Sequence, residues 1–458
     1  MPLKFPQYGR VLEARLACRP GWLLALATAV ASPVAYGQAP KVEFVSAVQR
    51  AVQPELALES IEVIGADQTS TTLESLEAMA LVSNPSLARA NAEVTAARGA
   101  AIQAGLQLNP IVGYEGQQLG SDGKAEQQGL MVGQEFMRHE KRTLSREVAR
   151  REVRMAEFRY AAQQSRVLTD VRIAFYHALR AQRQVDMSQD LLRIAEQGLK
   201  AAEALATAKE VARTDVLQAQ IEVDVARTAL VTARNQHTYA WSQLAAVVGQ
   251  ANLPTGPLSG DLFNTTQEMQ FDDILAWLRG QSPEIGEAHA RIDRARYFLQ
   301  RQVVEPRPNV SLQGLYNFID NGIQGKPDGA LSVSVPVPTW NRNQGAIQQA
   351  RYDLVAAQQS LAQLELQLQQ RLAPVFERYV NAKNQVQQYG ERILPAAAET
   401  LQLTQKTFEV GEIGFTNLLI VQRTYRQHQL TYLEAAEALR VSEAEINGLL
   451  LTGSLASK

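Results

Sequence analysis

The chain has 458 residues, is 46% hydrophobic and carries a formal net charge of -2, a balance that offers no basic excess for nucleic acid. Its single cysteine, Cys18, precedes an N-terminal apolar run, so disulfides are excluded as a source of stability.

Residues 1–37 read as an export signal. Lys4, Arg10, Arg15 and Arg19 come first, the apolar run Trp22 to Val30 follows, and Ala35-Tyr36-Gly37 offers small residues for cleavage. Removing them takes the net charge to -5. Residues 38–70 are polar, without a period, and read as an extended lead. No other stretch reaches the roughly 20 apolar residues of a spanning helix.

From residue 71 the chain states one pattern twice, over 71–250 and 271–452, with a linker at 251–270 and a tail at 453–458. Asn84-Pro85 and Asn109-Pro110 return as Ser282-Pro283 and Arg307-Pro308, each 198 residues on, and the polar turn at Lys209 to Asp215 returns 202 residues on at Gly411 to Asn417. A repeat of this length governs the whole architecture. Each copy opens with a short helix (Leu73 to Val82, Phe271 to Leu278) ending before a proline. A second helix follows, Pro85 to Leu106 and Pro283 to Val304.

Next come paired strands, near 111–119 and 128–137, then 309–318 and 329–337. Val310, Leu312, Tyr316 and Phe318 alternate with polar residues, as do Leu331, Val333, Val335 and Val337, which is the period of a half-buried strand. Each strand has about the 10 residues that cross a bilayer at a tilt. Gly- and Asp-rich loops at 120–126 and 321–328 connect them.

Arg138 to Gln197 contains no Gly or Pro and predicts one very long helix, with an apolar seam through Met155, Ala162, Val171, Phe175 and Ala178 suited to helix-on-helix packing. The returning arm runs from Thr214 to Val248. In the second copy Pro374, Gly390 and Pro395 predict kinks or a break in the outgoing arm. The fold class is therefore mainly α, long helical hairpins forming an α-barrel, with a membrane β part of four strands per chain. Four strands cannot close a barrel in lipid, and open edges would leave amides unpaired. Three protomers would supply twelve strands, so a homotrimer in outer-membrane lipid is expected.

These residues resemble the TolC-type outer-membrane factors over about residues 72–452. The marks are the two tips, Val211-Ala212-Arg213-Thr214-Asp215-Val216 and Val410-Gly411 to Thr416-Asn417-Leu418. The resemblance implies a trimeric channel reaching from the outer membrane into the periplasm, with a periplasmic membrane-fusion adaptor and an inner-membrane proton-driven RND pump as partners. It places adaptor contacts at Lys209, Val211, Ala212, Arg213, Val410 and Gly411, and an aperture at Thr214, Asp215, Glu412, Thr416 and Asn417. Val335-Pro336-Val337-Pro338-Thr339-Trp340-Asn341-Arg342-Asn343-Gln344-Gly345 is similar to the strand-to-helix junction of the heavy-metal members, of the cobalt-zinc-cadmium and nickel-cobalt type. The matching His139-Glu140-Lys141-Arg142 lacks their glycine pair.

Two readings of Asp215 stand together: a ring of three carboxylates around an opening, which attracts cations, or a cap on the returning helix. Glu412 reads as a compensating acid or a solvated turn residue. Lys209 stands where the other copy has Gly411, as a contact difference or as a turn that accepts either. Trp340, Arg342, Lys141 and Arg142 read as a membrane-boundary belt and strand-helix junction, with Trp340 as a packed aromatic the alternative. The five histidines are scattered, no enzyme motif is present and no cofactor is implied. The rivals are drug or solvent efflux, type I protein secretion, and a periplasmic coiled-coil scaffold with no pore.

Overall fold

The computed structural model describes residues 71–119, 125–209, 211–263, 268–320, 326–409 and 412–456. The signal, the lead, and the tip residues Val410 and Gly411 lie outside the described residues, as does most of both strand connections.

The first half runs β1 (Thr71–Thr72), α1 (Leu73–Ser83), α2 (Pro85–Ala104), β2 (Ile111–Leu119), β3 (Ala125–Phe136), α3 (His139–Thr207) and α4 (Arg213–Val248). The second runs β4 (Leu258–Ser259), α5 (Phe271–Gln281), α6 (Pro283–Val304), β5 (Val310–Asp320), β6 (Asp328–Ser334), α7 (Gln344–Gln388), a π-helical turn (Tyr389–Ile393), α8 (Leu394–Glu409) and α9 (Phe415–Asn447). The order recurs, and the starts of α1 and α5, like those of α2 and α6, differ by 198 residues. The chain divides into two compact units that cut across both halves: a sheet unit of 109–135 and 311–334, and a helical unit of 66–108, 136–310 and 335–458.

In the sheet unit the strand order is β2-β3-β5-β6, with β2 and β3 antiparallel (Ile111 opposite Gly133) and β5 and β6 antiparallel (Ser311 opposite Ser334). The outer strands β2 and β6 have one neighbour each among the described residues. Ile111, Val112, Tyr114, Leu130, Leu312, Leu331 and Val333 are all exposed, so the described residues of this sheet form no apolar core of their own in a single chain. β6 stops at Ser334 rather than at 337, because Pro336 and Pro338 have no amide to give to a ladder.

In the helical unit α3 is unbroken for 69 residues, about 100 Å at 1.5 Å per residue. Its buried face is built largely from small residues such as Ala149, Ala156, Ala162, Ala174 and Ala178, which lets neighbouring helices approach closely. Phe175, Leu179, Trp241, Leu244 and Leu433 fill the main core, and Leu258 and Leu262 of the segment between the halves join them. That segment is also tied by β4, which pairs in parallel with β1. In the second hairpin Pro374 is carried inside α7 without a break, and the irregularity falls at the π-helical turn. No described helix is long and apolar enough to cross a membrane.

Two helix starts carry side-chain caps, α1 at Thr72 and α2 at Asn84. Asn84 ends α1 and caps α2, its Oδ1 accepting from the Ser86 amide at 2.9 Å, while its Nδ2 donates to the Val247 carbonyl at 2.7 Å. Ser282 stands at the matching corner, yet its hydroxyl is buried without a partner.

Candidate functional site

The two hairpin ends form one site. At the first, α3 closes on Thr207, Lys209 turns the chain with φ +64°, and α4 begins at Arg213 after an extended Ala212. At the second, α9 begins at Phe415 after an extended Gly414, and the Glu412 amide donates back to the Thr407 carbonyl at 3.1 Å. Ala202 and Ala219 of the first hairpin and Phe408, Phe415 and Leu418 of the second pack into one apolar cluster. The Phe408 and Phe415 rings lie 5.8 Å apart. This plug keeps the two ends together, and it was not anticipated. The phenylalanines flanking the turn were its available signal. A little further in, Arg423 of α9 pairs with Glu222 of α4.

With the ends fixed, the polar residues are presented outward. Lys209, Ala212, Arg213, Thr214, Glu412, Thr416 and Asn417 are exposed, and Val211 and Asp215 are half-buried. The capping reading of Thr214 and Asp215 fails, because α4 is preceded by Ala212 and has no side-chain cap bond. Both residues lie inside the first turn, as the second and third residues of the helix, and not at the position that precedes it. Asp215 there places a carboxylate beside the positive end of the α4 dipole.

A second constellation gathers the ends of the helices that adjoin the strands. Arg138 Nε donates to the Pro308 carbonyl at 3.0 Å, and Arg307 pairs with Glu140. Arg142 Nη1 donates to Gln107 Oε1 at 2.9 Å. Asn343, with φ +59°, donates its Nδ2 to the carbonyl and Oε1 of Gln302. Lys141, expected on a boundary belt, is instead 3% exposed and sits 3.5 Å from Glu305, which also takes Arg301. Arg142 is half-buried, Arg342 is exposed, and Trp340 is 90% exposed, which removes the packed-aromatic reading for the single chain. Glu305, Gln302 and Gln107 were missed, since nothing local in the sequence marks a partner more than thirty residues away. Among the described residues no group of three or more His, Cys, Asp or Glu side chains could hold a metal ion.

Comparison with known proteins follows the same outline. The profile of the family described as Outer membrane efflux protein matches residues 76–250 and again 276–450. The cobalt-zinc-cadmium resistance protein CzcC of Cupriavidus metallidurans is 23% identical over 364 residues, 79% of this chain and 85% of the relative. The outer membrane protein TolC of Vibrio cholerae is 23% identical over 345 residues, 72% of this chain and 77% of the relative. Among solved structures, that of CusC superposes with a TM-score of 0.68 at 17% identity, covering 85% of this chain and 96% of CusC, a likeness of fold.

Proposed function

We propose that this chain, which belongs to the outer membrane efflux protein family, is the outer-membrane duct of a tripartite pump for heavy-metal cations of the cobalt, zinc, cadmium and nickel class. Three copies close one twelve-stranded barrel and one helical tunnel extending into the periplasm. The observation that supports this most is the sheet. Among the described residues it has two open edges and exposed apolar faces, an arrangement stable in lipid only when further copies complete the ring.

The tunnel performs no chemistry. An inner-membrane RND pump supplies the energy, and a periplasmic adaptor engages the hairpin ends around Lys209, Val211, Ala212, Arg213, Val410 and Gly411. Thr214, Asp215, Glu412, Thr416 and Asn417 line the aperture. Threefold symmetry gathers Asp215 carboxylates around a cation path, and a ring of acids favours cations over anions. The metal class rests on the likeness to the resistance protein CzcC and on the Val335 to Gly345 junction.

The test is growth of a deletion strain, and of the strain with the gene restored, on graded zinc, cadmium, cobalt and nickel salts beside dyes and antibiotics. Sensitivity confined to the metals, and reversed by the gene, is the expected result. Sensitivity confined to the organic compounds would keep the duct and move its cargo to drugs.

A further inference from the structure

The arginines of this chain are not evenly compensated. Further along α3 and α6 each arginine has an acid, some of them shared: Arg150 and Arg151 take Glu147, Arg98 and Arg154 take Glu157, Arg159 and Arg291 take Glu287, Arg294 takes Glu152 and Arg296 takes Asp293. At the helix ends adjoining the strands the matching stops. Residues 137–146, 301–308 and 340–344 hold seven Lys and Arg against two Glu. Glu305 serves Lys141 and Arg301, and Glu140 serves Arg307. Both acids are then spent.

Four arginines remain without an anionic partner among the described residues: Arg142, half-buried and donating to Gln107, and Arg138, Arg146 and Arg342, which are exposed. Arg138 is held in place by its bond to the Pro308 carbonyl, which fixes the side chain without neutralising it. Arg342 follows Trp340 by two residues, and that indole is 90% exposed. All of these belong to the helical unit and lie within about ten residues of its chain crossings into the strands.

We propose that Arg138, Arg146 and Arg342, with Trp340, bind the phosphates of anionic phospholipids in the membrane leaflet that faces the periplasm. The proposal rests on the outer-membrane reading above, which puts the strands in lipid and these residues at its edge. A guanidinium fork matches a phosphate with two parallel hydrogen bonds, and it is only weakly hydrated, so it gives up water readily at an interface. An indole is suited to the same depth, with an apolar body toward the chains and a donor toward the headgroups. A cluster of cations beside a membrane segment is drawn to anionic lipid within a Debye length. The chain is net acidic, so this attraction is local to these residues and is not a property of the whole surface.

The experiment uses the full chain reconstituted into vesicles of phosphatidylethanolamine with graded phosphatidylglycerol, with the lipid retained on the extracted protein measured by mass spectrometry. The wild-type protein is expected to retain phosphatidylglycerol several-fold above its share of the bilayer, and to lose the excess in high salt. A triple variant, Arg138→Gln, Arg146→Gln and Arg342→Gln, should bring the ratio to that of the bilayer, while the triple Lys variant should keep most of it. Wild-type enrichment in the Gln triple overturns the proposal. So does a Gln triple that falls apart as an oligomer with its lipid ratio unchanged, since the arginines would then face a second copy. Insertion without any enrichment overturns this proposal alone. Failure of the wild-type chain to insert overturns the outer-membrane reading with it.

Discussion

Asp215 and Asn417 occupy the same place in the two hairpins. Each is the third residue of a returning helix, with its amide bonded to the carbonyl of the residue that precedes the helix, Ala212 at 3.0 Å and Gly414 at 3.1 Å. The backbones match and the charges do not. One position carries a carboxylate and the other an amide, so any charge at the hairpin ends that depends on this position comes from the first hairpin only.

Exchanging the charge between these positions should therefore exchange the electrical behaviour of the end. In bilayer recordings, Asp215→Asn is expected to shift the reversal potential in a salt gradient toward anions, and Asn417→Asp in the wild-type background to shift it toward cations. A reversal potential that ignores both changes would remove Asp215 from the cation path. The same substitution should cost about 0.3–1 kcal/mol of stability, because a carboxylate in the first turn favours the helix dipole.

Much of this arrangement was legible in the sequence, for local reasons. The span Pro283–Val304 of α6 could be read at both ends, since a proline starts it and Pro306 follows its end. The break in the second hairpin was harder to place. Pro374 removes one helical hydrogen bond, but Leu372, Val375 and Tyr379 around it are buried in one core and hold α7 together. The irregularity falls instead at Tyr389–Ile393, around Gly390. Val335 and Val337 alternate like strand residues while Pro336 and Pro338 forbid the ladder, so periodicity misled where hydrogen-bond supply decided. Lys141 looked like a surface cation because its partner Glu305 is 164 residues away. Contacts of that kind leave no mark in either neighbourhood.

The two corner residues make a sharp comparison. Asn84 is 2% exposed, caps α2 and holds the α4 end, so Asn84→Ala should cost about 2 kcal/mol. Ser282→Ala removes a buried hydroxyl that has no partner, and should change stability by less than about 0.5 kcal/mol in either direction. Thermal unfolding of the two variants side by side checks this, and equal losses would contradict it.

Gly249 tightens the same corner. It ends α4 with φ +85°, and a Cβ there would meet the Ser83 carbonyl oxygen at 2.8 Å and Asn84 Cα at 2.9 Å. Gly249→Ala is thus opposed by both conformation and space, and should cost about 2–4 kcal/mol. Limited proteolysis should then cut near residues 249–253 faster than in the wild type. An unchanged cleavage rate would show that the corner can open without loss.

For the buried pair, removing the acid should hurt more than removing the pair. Glu305→Gln leaves Lys141 charged, enclosed and without its carboxylate, while Lys141→Met fills the space with an apolar chain and frees Glu305, 43% exposed, to solvent and Arg301. Because the pair is half open to water, the cost of Glu305→Gln is set at about 1–2 kcal/mol, with Lys141→Met below it. The order of the two melting temperatures is the readout, and the reverse order would assign the stability to the lysine.

The π-helical turn interrupts the outgoing arm of the second hairpin, and Tyr432 of α9 guards it. A Cβ on Gly390 would lie 3.1 Å from the Tyr432 hydroxyl, against 3.5 Å from its nearest ring carbons. The ring cannot move aside freely, since it stacks on Phe263 at 4.7 Å with the planes 10° apart. Gly390→Ala gains up to about 1 kcal/mol of helix propensity, but it forces this contact, and should come out destabilising with Tyr432 present. With Tyr432→Phe the obstructing oxygen is gone, and the same Gly390→Ala should become neutral or stabilising. The hydroxyl adds a pH signature: burial raises its pKa above the ordinary 10.0, with Asp261 adding to the rise. A proton held more tightly in the folded state stabilises it fully below that value, and the contribution is lost as pH climbs through the raised one. Unfolding midpoints measured from neutral to strongly alkaline pH should therefore fall less steeply in Tyr432→Phe. Parallel curves, together with an alanine cost that is the same beside Tyr or Phe, would mean that Tyr432 does not hold the turn.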